Sequence, residues 1–329
     1  MIYAAAITGP TASGKTALSV RVAKALGATV LCADSMQIYK EMCIGTAKVT
    51  PEEMEGVPHL MLDVASVTED FSVHSYKETA IPLAREIARG GHLPLFVGGT
   101  GLYLAAMTRG DEDTPGRSEE YMRRYEALAA TEEGKEALHR RLSEIDPESA
   151  ALIHKNNVRR VLRALEIYDT TGKTKTEHDR ESRAAQGALS LLHISLDFHS
   201  RDLLYDRIDR RVKIMMHEGL LGEAKSLYER GLLSTDTAAM GAIGYKEFLP
   251  YFRGECTLSE VEAAIALGTR RYAKRQQTWF RRQPDVKTIY MDDGAGRMRD
   301  PDAVFSEVMD LLSPFVRLHY NDQAGERKE

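Results

Sequence analysis

Disulfide chemistry, membrane anchoring and an overall positive charge are all missing from this sequence. Cysteine occurs only three times in 329 residues, at Cys32, Cys43 and Cys256. The three are far apart and form no CxxC pair and no zinc set, so a reducing cytoplasm is the expected location. No apolar run approaches the roughly 20 residues of a membrane helix, and the N-terminus carries no signal-peptide pattern. Neither membrane partner nor secretion is expected. Internal repeats are absent as well. Lys plus Arg number 44 against 49 Asp plus Glu, a formal net charge of −5. Spread evenly, that balance argues against a nucleic-acid partner.

What is present begins with alternation. Ile2 to Ile7 is apolar, Ala17 to Leu26 has helical spacing, and Ala28 to Cys32 reads as a buried strand. Ser75 to Arg89 reads as a helix and Leu93 to Val97 as another strand. Strand and helix in turn predict an α/β fold: a parallel sheet of P-loop type, flanked by helices, with ligands at the carboxyl ends of its strands. Loops 8–16, 33–37 and 98–101 then converge on one edge. From about Asp111 the chain turns charged and helical, which predicts a helical insertion domain over 111–190. The core is expected over 1–110 and 191–317, with Leu191 to Leu196 returning to the sheet. Arg201 to Arg230 and Ser259 to Arg282 read as long helices, Val286 to Tyr290 as a strand and Asp302 to Val316 as a helix. Residues 318–329 read as a disordered tail.

Gly9, Pro10, Thr11, Ala12, Ser13, Gly14, Lys15 and Thr16 fit GxxxxGK[ST] in full, between a strand and a helix. The glycines let backbone N–H groups turn inward around an anion, and the following helix adds its N-terminal partial charge. Lys15 brings a full charge to phosphate, and the Thr16 hydroxyl is placed for Mg²⁺. The motif recognises a diphosphate and leaves its bearer open; a nucleotide such as ATP is the usual occupant. Asp34 follows the neighbouring strand and is open to three roles: Mg²⁺ ligand, general base or helix cap. Thr100, within Gly98-Gly99-Thr100-Gly101, offers a hydroxyl to the same edge. Arg207 and Arg211, four apart on one helix face, pair with nearby aspartates or reach the diphosphate.

The charge is also uneven. Residues 270–282 hold six positive residues and no acid, interleaved with Tyr272, Trp279 and Phe280. Residues 155–163 carry +4, and 111–120 hold five acids and one arginine, net −4. Cations for phosphate and rings for unstacked bases are what RNA binding uses. A P-loop kinase explains 8–16 but leaves this basic aromatic helix and the insertion without a purpose.

These segments together resemble the bacterial tRNA dimethylallyltransferases. The resemblance rests on GPTASGKT (9–16), DSMQIYK (34–40), IGTAK (44–48), VPHL with Asp63, GGTGLYL (98–104), RRVLRALEIY with TGKT (159–174), IGYKE (243–247) and KRQQTWFR (274–281). Cys43 and Leu60 stand where members of that family often have Asp and His. The resemblance implies transfer of a dimethylallyl group from dimethylallyl diphosphate to the exocyclic amine of the adenosine on the 3′ side of the anticodon. The acceptors it implies are tRNAs reading codons that begin with U. It implies that the phosphate loop holds the isoprenoid diphosphate, that Asp34 is the base, and that Thr100, Lys15 and Arg211 act with it. Thr16 is implied for Mg²⁺. Implied tRNA contacts are Asp34, Ser35, Met36, Gln37, Thr100, Arg123, Arg159, Arg160, Val161, Leu162, Arg163, Gly244, Tyr245, Lys246, Lys274, Arg275, Gln276, Trp279 and Arg281. A cytoplasmic monomer is expected.

Overall fold

The computed structural model describes residues 1–110, 118–185, 187–234, 237 and 239–320. The chain forms two compact units: Met1–Met107 together with the chain from Leu189 on, and Thr108–Ala188.

In the first unit, β1 (Ile2–Thr8), α1 (Lys15–Leu26), β2 (Thr29–Cys32), a short α2 (Pro51–Met54), β3 (His59–Leu60), α3 (Val73–Arg89), β4 (Pro94–Gly98) and α4 (Gly101–Thr108) follow in order. The second unit consists of α5 (Glu119–Ala129), α6 (Glu132–Ile145), α7 (Pro147–Leu152), α8 (Val158–Thr171) and α9 (Lys175–Ala184). The chain re-enters the first unit with β5 (Leu189–Asp197), α10 (Arg201–His217), α11 (Leu220–Glu229), α12 (Leu249–Phe252), α13 (Leu258–Arg281), β6 (Lys287–Tyr290) and α14 (Pro301–Tyr320). The strands make one parallel sheet in the order β3-β2-β4-β1-β5-β6. Among the described residues no helix is long and apolar enough to cross a membrane.

The sheet is buried on both faces, as an apolar parallel strand requires. Successive side chains of β1 point to opposite sides. Ala5 and Ile7 join α1 and α14 in one core. Ala4 and Ala6 join Tyr76 of α3, Phe96 of β4 and Tyr103 of α4 in another. A third core gathers α10, α11 and α13 around Tyr39, Met42, Tyr245 and Phe248. The second unit closes on Leu138, Leu142, Ile153, Val161, Leu162 and Leu165.

Three expectations change. The helix read over 201–230 is two helices, because Gly219 adopts φ +104 between them. The two-residue strand β3 is not among the elements the sequence pattern predicts. Residues 318–320 are not tail: α14 runs to Tyr320, whose hydroxyl donates to the Tyr3 carbonyl, and His319 stacks on Tyr3 with centroids 3.7 Å apart. Those contacts stabilise the last turn against fraying. The rest of the expected tail, 321–329, and the acidic stretch 111–117 lie outside the described residues.

The loop after β2 is anchored by one carboxylate. Glu223 of α11 accepts hydrogen bonds from the backbone N–H of Cys43, Ile44 and Gly45 at 3.0–3.1 Å and from the Tyr245 hydroxyl at 2.7 Å. Gly45 has no room for a side chain there, since a Cβ would lie 2.6 Å from the Tyr245 ring. Removing the acceptor leaves several donors unpartnered, each costing about 1–3 kcal/mol when buried. Glu223→Ala is therefore expected to lower unfolding stability by about 2–4 kcal/mol, with Glu223→Gln losing about half as much. Urea denaturation read by circular dichroism checks this; equal midpoints for all three proteins would contradict it.

Candidate active site

Strands β1, β2 and β4 lie side by side, so the loops after their carboxyl ends meet at one edge of the sheet. The phosphate loop runs from Gly9 to the start of α1. Gly9 holds φ +137 where a Cβ would sit 2.4 Å from the Leu196 carbonyl oxygen, and Gly14 holds φ +92 as the residue before α1. Ala12 takes φ +62 between them. A loop so wound turns backbone N–H groups toward a common centre. Ser13 is fully buried and its hydroxyl oxygen has no hydrogen-bond partner among the described residues.

Three cations surround that loop. Lys15 Nζ donates to the carbonyls of Gly9 at 3.1 Å and Pro10 at 2.7 Å. Both sequence candidates on α10 reach the loop: Arg207 Nε donates to the Ala12 carbonyl at 2.8 Å, and Arg211 Nη1 to Thr11 Oγ1 at 3.2 Å. Burial lowers the Lys15 pKa to about 7; the positive charge of Arg211 adds to the drop and the negative charge of Asp34 opposes it. Burial also lowers the pKa of Arg211, again opposed by Asp34, and that of Arg207. Cations held together at this cost are relieved by an anion.

The turn after β4 packs against the loop after β2. Gly98 passes so near that a Cβ would lie 2.1 Å from the Ala33 carbonyl oxygen, and Thr100 N–H donates to that same oxygen at 3.0 Å. Thr100 Oγ1 accepts from Ser35 N–H at 2.9 Å and donates to Ser35 Oγ at 3.2 Å. Asp34 Oδ1 accepts from Met36 N–H at 2.9 Å. Asp34 therefore caps a turn, not a helix, and that bond uses one of its oxygens. Asp34, Thr100, Lys15 and Arg211 stand at one sheet edge. Their arrangement places an acid and a hydroxyl beside an anion cradle, which is what displacement of a phosphate-bearing leaving group needs.

Helix α13 lies against these loops with an uneven division of its residues. Arg271, Lys274, Arg275, Thr278 and Arg282 are exposed. Tyr272 and Gln276 face the loops, with Tyr272 beside the Thr100 and Gln276 side chains. Burial, with the nearby charge of Asp34, pushes the Tyr272 pKa up. The Trp279 ring covers Gly101, where a Cβ would lie 2.1 Å from it. Phe280 meets the edge of His193, which hydrogen-bonds Thr8 Oγ1 at 2.8 Å.

Several residues expected on a tRNA surface are not placed there. Gln276 is buried, with both ends of its amide bonded to loop backbone. Tyr245 is fully buried on Glu223, and Gly244 is buried beside it, so only Lys246 of that segment is exposed. Val161 and Leu162 belong to the core of the second unit, because α8 turns them inward while Arg159 and Arg160 stay exposed. Arg163 is half-buried and donates to Glu166 at 2.7 Å. Gln37 donates to the carbonyls of Thr46 and Ala47 at 3.3 Å. Arg281 is exposed, and its guanidinium binds the buried Asp197 at 2.6 Å, which ties α13 to β5. Arg123, Lys274 and Arg275 are exposed, and Ser35, Met36 and Trp279 half-buried. Tyr272 and Glu223 were missed as site-forming residues. Tyr272, Gln276 and Phe280 recur every four residues, and that spacing was the available signal.

A family model described as IPP transferase matches residues 37–283. The chain is 48% identical over 296 residues to a tRNA dimethylallyltransferase of Halalkalibacterium halodurans, covering 88% of this chain and 91% of that protein. It is 46% identical over 291 residues to one of Bacillus cereus, covering 88% and 90%. Its fold is similar to that of a tRNA isopentenylpyrophosphate transferase of Bacillus halodurans, with TM-score 0.71 and 42% identity over 98% of this chain and 100% of that one. It is also similar to a eukaryotic dimethylallyltransferase acting on tRNA, with TM-score 0.77 and 28% identity over 100% of this chain and 81% of that one.

Proposed function

Because the chain belongs to the IPP transferase family, we propose that it is a tRNA dimethylallyltransferase using the site described. The donor is dimethylallyl diphosphate. The acceptor is the exocyclic amine of the adenosine on the 3′ side of the anticodon, in tRNAs reading codons that begin with U. The observation that carries this reading is the pairing of a three-cation phosphate loop with an acid and a hydroxyl, Asp34 and Thr100, on the adjoining loops.

The allylic C–O bond breaks, the N–C bond forms, and the amine proton leaves. Lys15, Arg207, Arg211 and the N–H groups of Ala12, Gly14, Lys15 and Thr16 stabilise the charge growing on diphosphate. Thr100, held by Ser35, orients donor and acceptor. Asp34 accepts the amine proton on its second oxygen. The adenosine is flipped out of its stack at a cost of a few kcal/mol, offset by cations gripping the stem. On the first unit the exposed cations for this are Lys246, Lys274 and Arg275; the second unit, taken by itself, exposes Arg123, Arg159 and Arg160. Mg²⁺ fits this donor set. Mg²⁺ characteristically takes one or two protein oxygens, water and substrate phosphate, and the loop that carries Thr16 also holds the Ser13 hydroxyl, buried and without a hydrogen-bond partner among the described residues. Thr16 would hold it, and it would supply further neutralisation of the diphosphate. The protein acts as a cytoplasmic monomer.

Purified protein is expected to convert dimethylallyl diphosphate and unmodified tRNA into isopentenylated tRNA and diphosphate, identified by nucleoside mass. tRNA binding is expected to weaken steeply with salt despite the net charge of −5. Hydrolysis of ATP, or its transfer to a small acceptor, with tRNA left unmodified would make the protein a kinase instead. Prenylation of AMP in preference to tRNA would overturn the acceptor.

A further inference from the structure

Gln276 sits on the helix whose other face is most basic, yet its own side chain is buried and engages nothing but the site. Its Oε1 accepts from Thr11 N–H at 2.9 Å, and its Nε2 donates to the Gly99 carbonyl at 3.0 Å. One rigid, planar amide thus spans the phosphate loop and the turn that carries Thr100. The fit leaves no slack on the turn side, since a Cβ on Gly99 would lie 2.1 Å from Nε2. Each end leads to a group in the reaction. Thr11 accepts from Arg211 through its own hydroxyl, and Gly99 immediately precedes Thr100. Tyr272, one helical turn earlier, lies beside both Gln276 and Thr100.

We propose that Gln276 is a positioning residue that sets the distance between the diphosphate held by the phosphate loop and the Thr100–Asp34 side of the site. The inference rests on the reading of this edge as a prenyl-transfer centre. A displacement depends on leaving group and acceptor being held in line, and a shift of about 1 Å can cost about 10²-fold in rate. The role needs an acceptor at one end of the side chain and a donor at the other. A carboxylate keeps the first and sets oxygen against oxygen at the second; an aliphatic side chain of similar size supplies neither.

The test compares Gln276→Glu and Gln276→Leu with the full-length parent. Single-turnover transfer at saturating dimethylallyl diphosphate and tRNA is expected to fall about 30- to 100-fold in Gln276→Leu and less in Gln276→Glu. The tRNA dissociation constant should stay within about twofold in both, because the side chain faces away from the basic surface. Amide hydrogen exchange at Thr11 should be slow in the parent and in Gln276→Glu, and fast in Gln276→Leu. A single-turnover rate within twofold of the parent in Gln276→Leu overturns the proposal, as does loss of tRNA affinity that matches the loss of rate. Should Gln276→Leu fail to fold, the Gln276→Glu rate decides: a drop with unchanged tRNA affinity supports the role, and a parental rate overturns it. Should the parent itself transfer no prenyl group, the functional reading fails, and the loop tie stands or falls on Thr11 exchange alone.

Discussion

Changing Asp34 to Asn is expected to slow single-turnover transfer by about 10²–10⁴, the usual loss for a general base, with tRNA affinity within a few-fold of the parent. Asn is the informative replacement because its Oδ1 can still accept from Met36 N–H, the bond Asp34 makes at 2.9 Å. The turn is kept and the basic oxygen is lost. A second consequence follows from charge. Asp34 opposes the depression of both the Lys15 and the Arg211 pKa. Without it the Lys15 ammonium is less favoured, so the pH above which diphosphate binding takes up a proton should be lower in the variant than in the parent. Saturating donor in a rapid-quench experiment separates the two effects. A rate at saturation equal to the parent's would remove Asp34 as the base and leave it only as an electrostatic support. Loss of tRNA binding with normal single-turnover chemistry would make it a recognition residue.

The contrast between Asp34 and Gln276 shows what the sequence could and could not reveal. Asp34 follows a buried strand beside a complete phosphate-loop motif, and local pattern alone puts it at the sheet's edge. The strand–helix alternation and the helical insertion are legible for the same reason: each element announces itself over a contiguous window. Gln276, Tyr245, Val161 and Leu162 lie within contiguous motifs but not on a contiguous surface. A helix turns successive residues through about 100°, so KRQQTWFR presents Lys274 and Arg275 outward while Gln276 and Phe280 face inward. In RRVLR the two valine–leucine positions are core and the first two arginines are surface. Knowing which side is inward requires the neighbour, which here is a loop more than 170 residues away in sequence, as the separation of Gln276 from Gly99 shows. The break at Gly219 was illegible for a different reason. Helices tolerate an isolated glycine at about 1 kcal/mol, and only its left-handed φ of +104 separates α10 from α11. That break keeps Arg207 and Arg211 on the helix that reaches the phosphate loop and leaves Glu223 on the one that anchors the loop after β2.

Lys15 carries the other large expectation, and its sign follows from burial. Unliganded, its pKa is lowered to about 7 from an ordinary 10.5. Above pH 7 the folded protein therefore holds a neutral amine where the unfolded chain holds an ammonium, and the unfolded state binds more protons up to about pH 10.5. On this account Lys15 makes the unliganded protein more stable as pH rises through that window, and costs stability below it. Diphosphate reverses the balance, because an anion at the loop favours the ammonium. Binding then takes up a proton above pH 7, and affinity attributable to Lys15 falls by up to about tenfold per pH unit. Lys15→Met removes the charge at every pH. The parent should bind inorganic diphosphate about 10- to 150-fold more tightly than the variant at pH 6.5, the worth of charged hydrogen bonds of about 1.5–3 kcal/mol. The two affinities should converge by about pH 9, since the parent then has to protonate an amine to gain that contact. Comparing both proteins at each pH by titration calorimetry cancels the ionisation of diphosphate itself. Proton uptake, read from the buffer dependence of the binding enthalpy, should appear in the parent above pH 7 and vanish in Lys15→Met. Parallel affinity curves with no such uptake would mean that Lys15 stays charged in the empty loop, and that its two carbonyl partners, Gly9 and Pro10, are enough to hold an ammonium there.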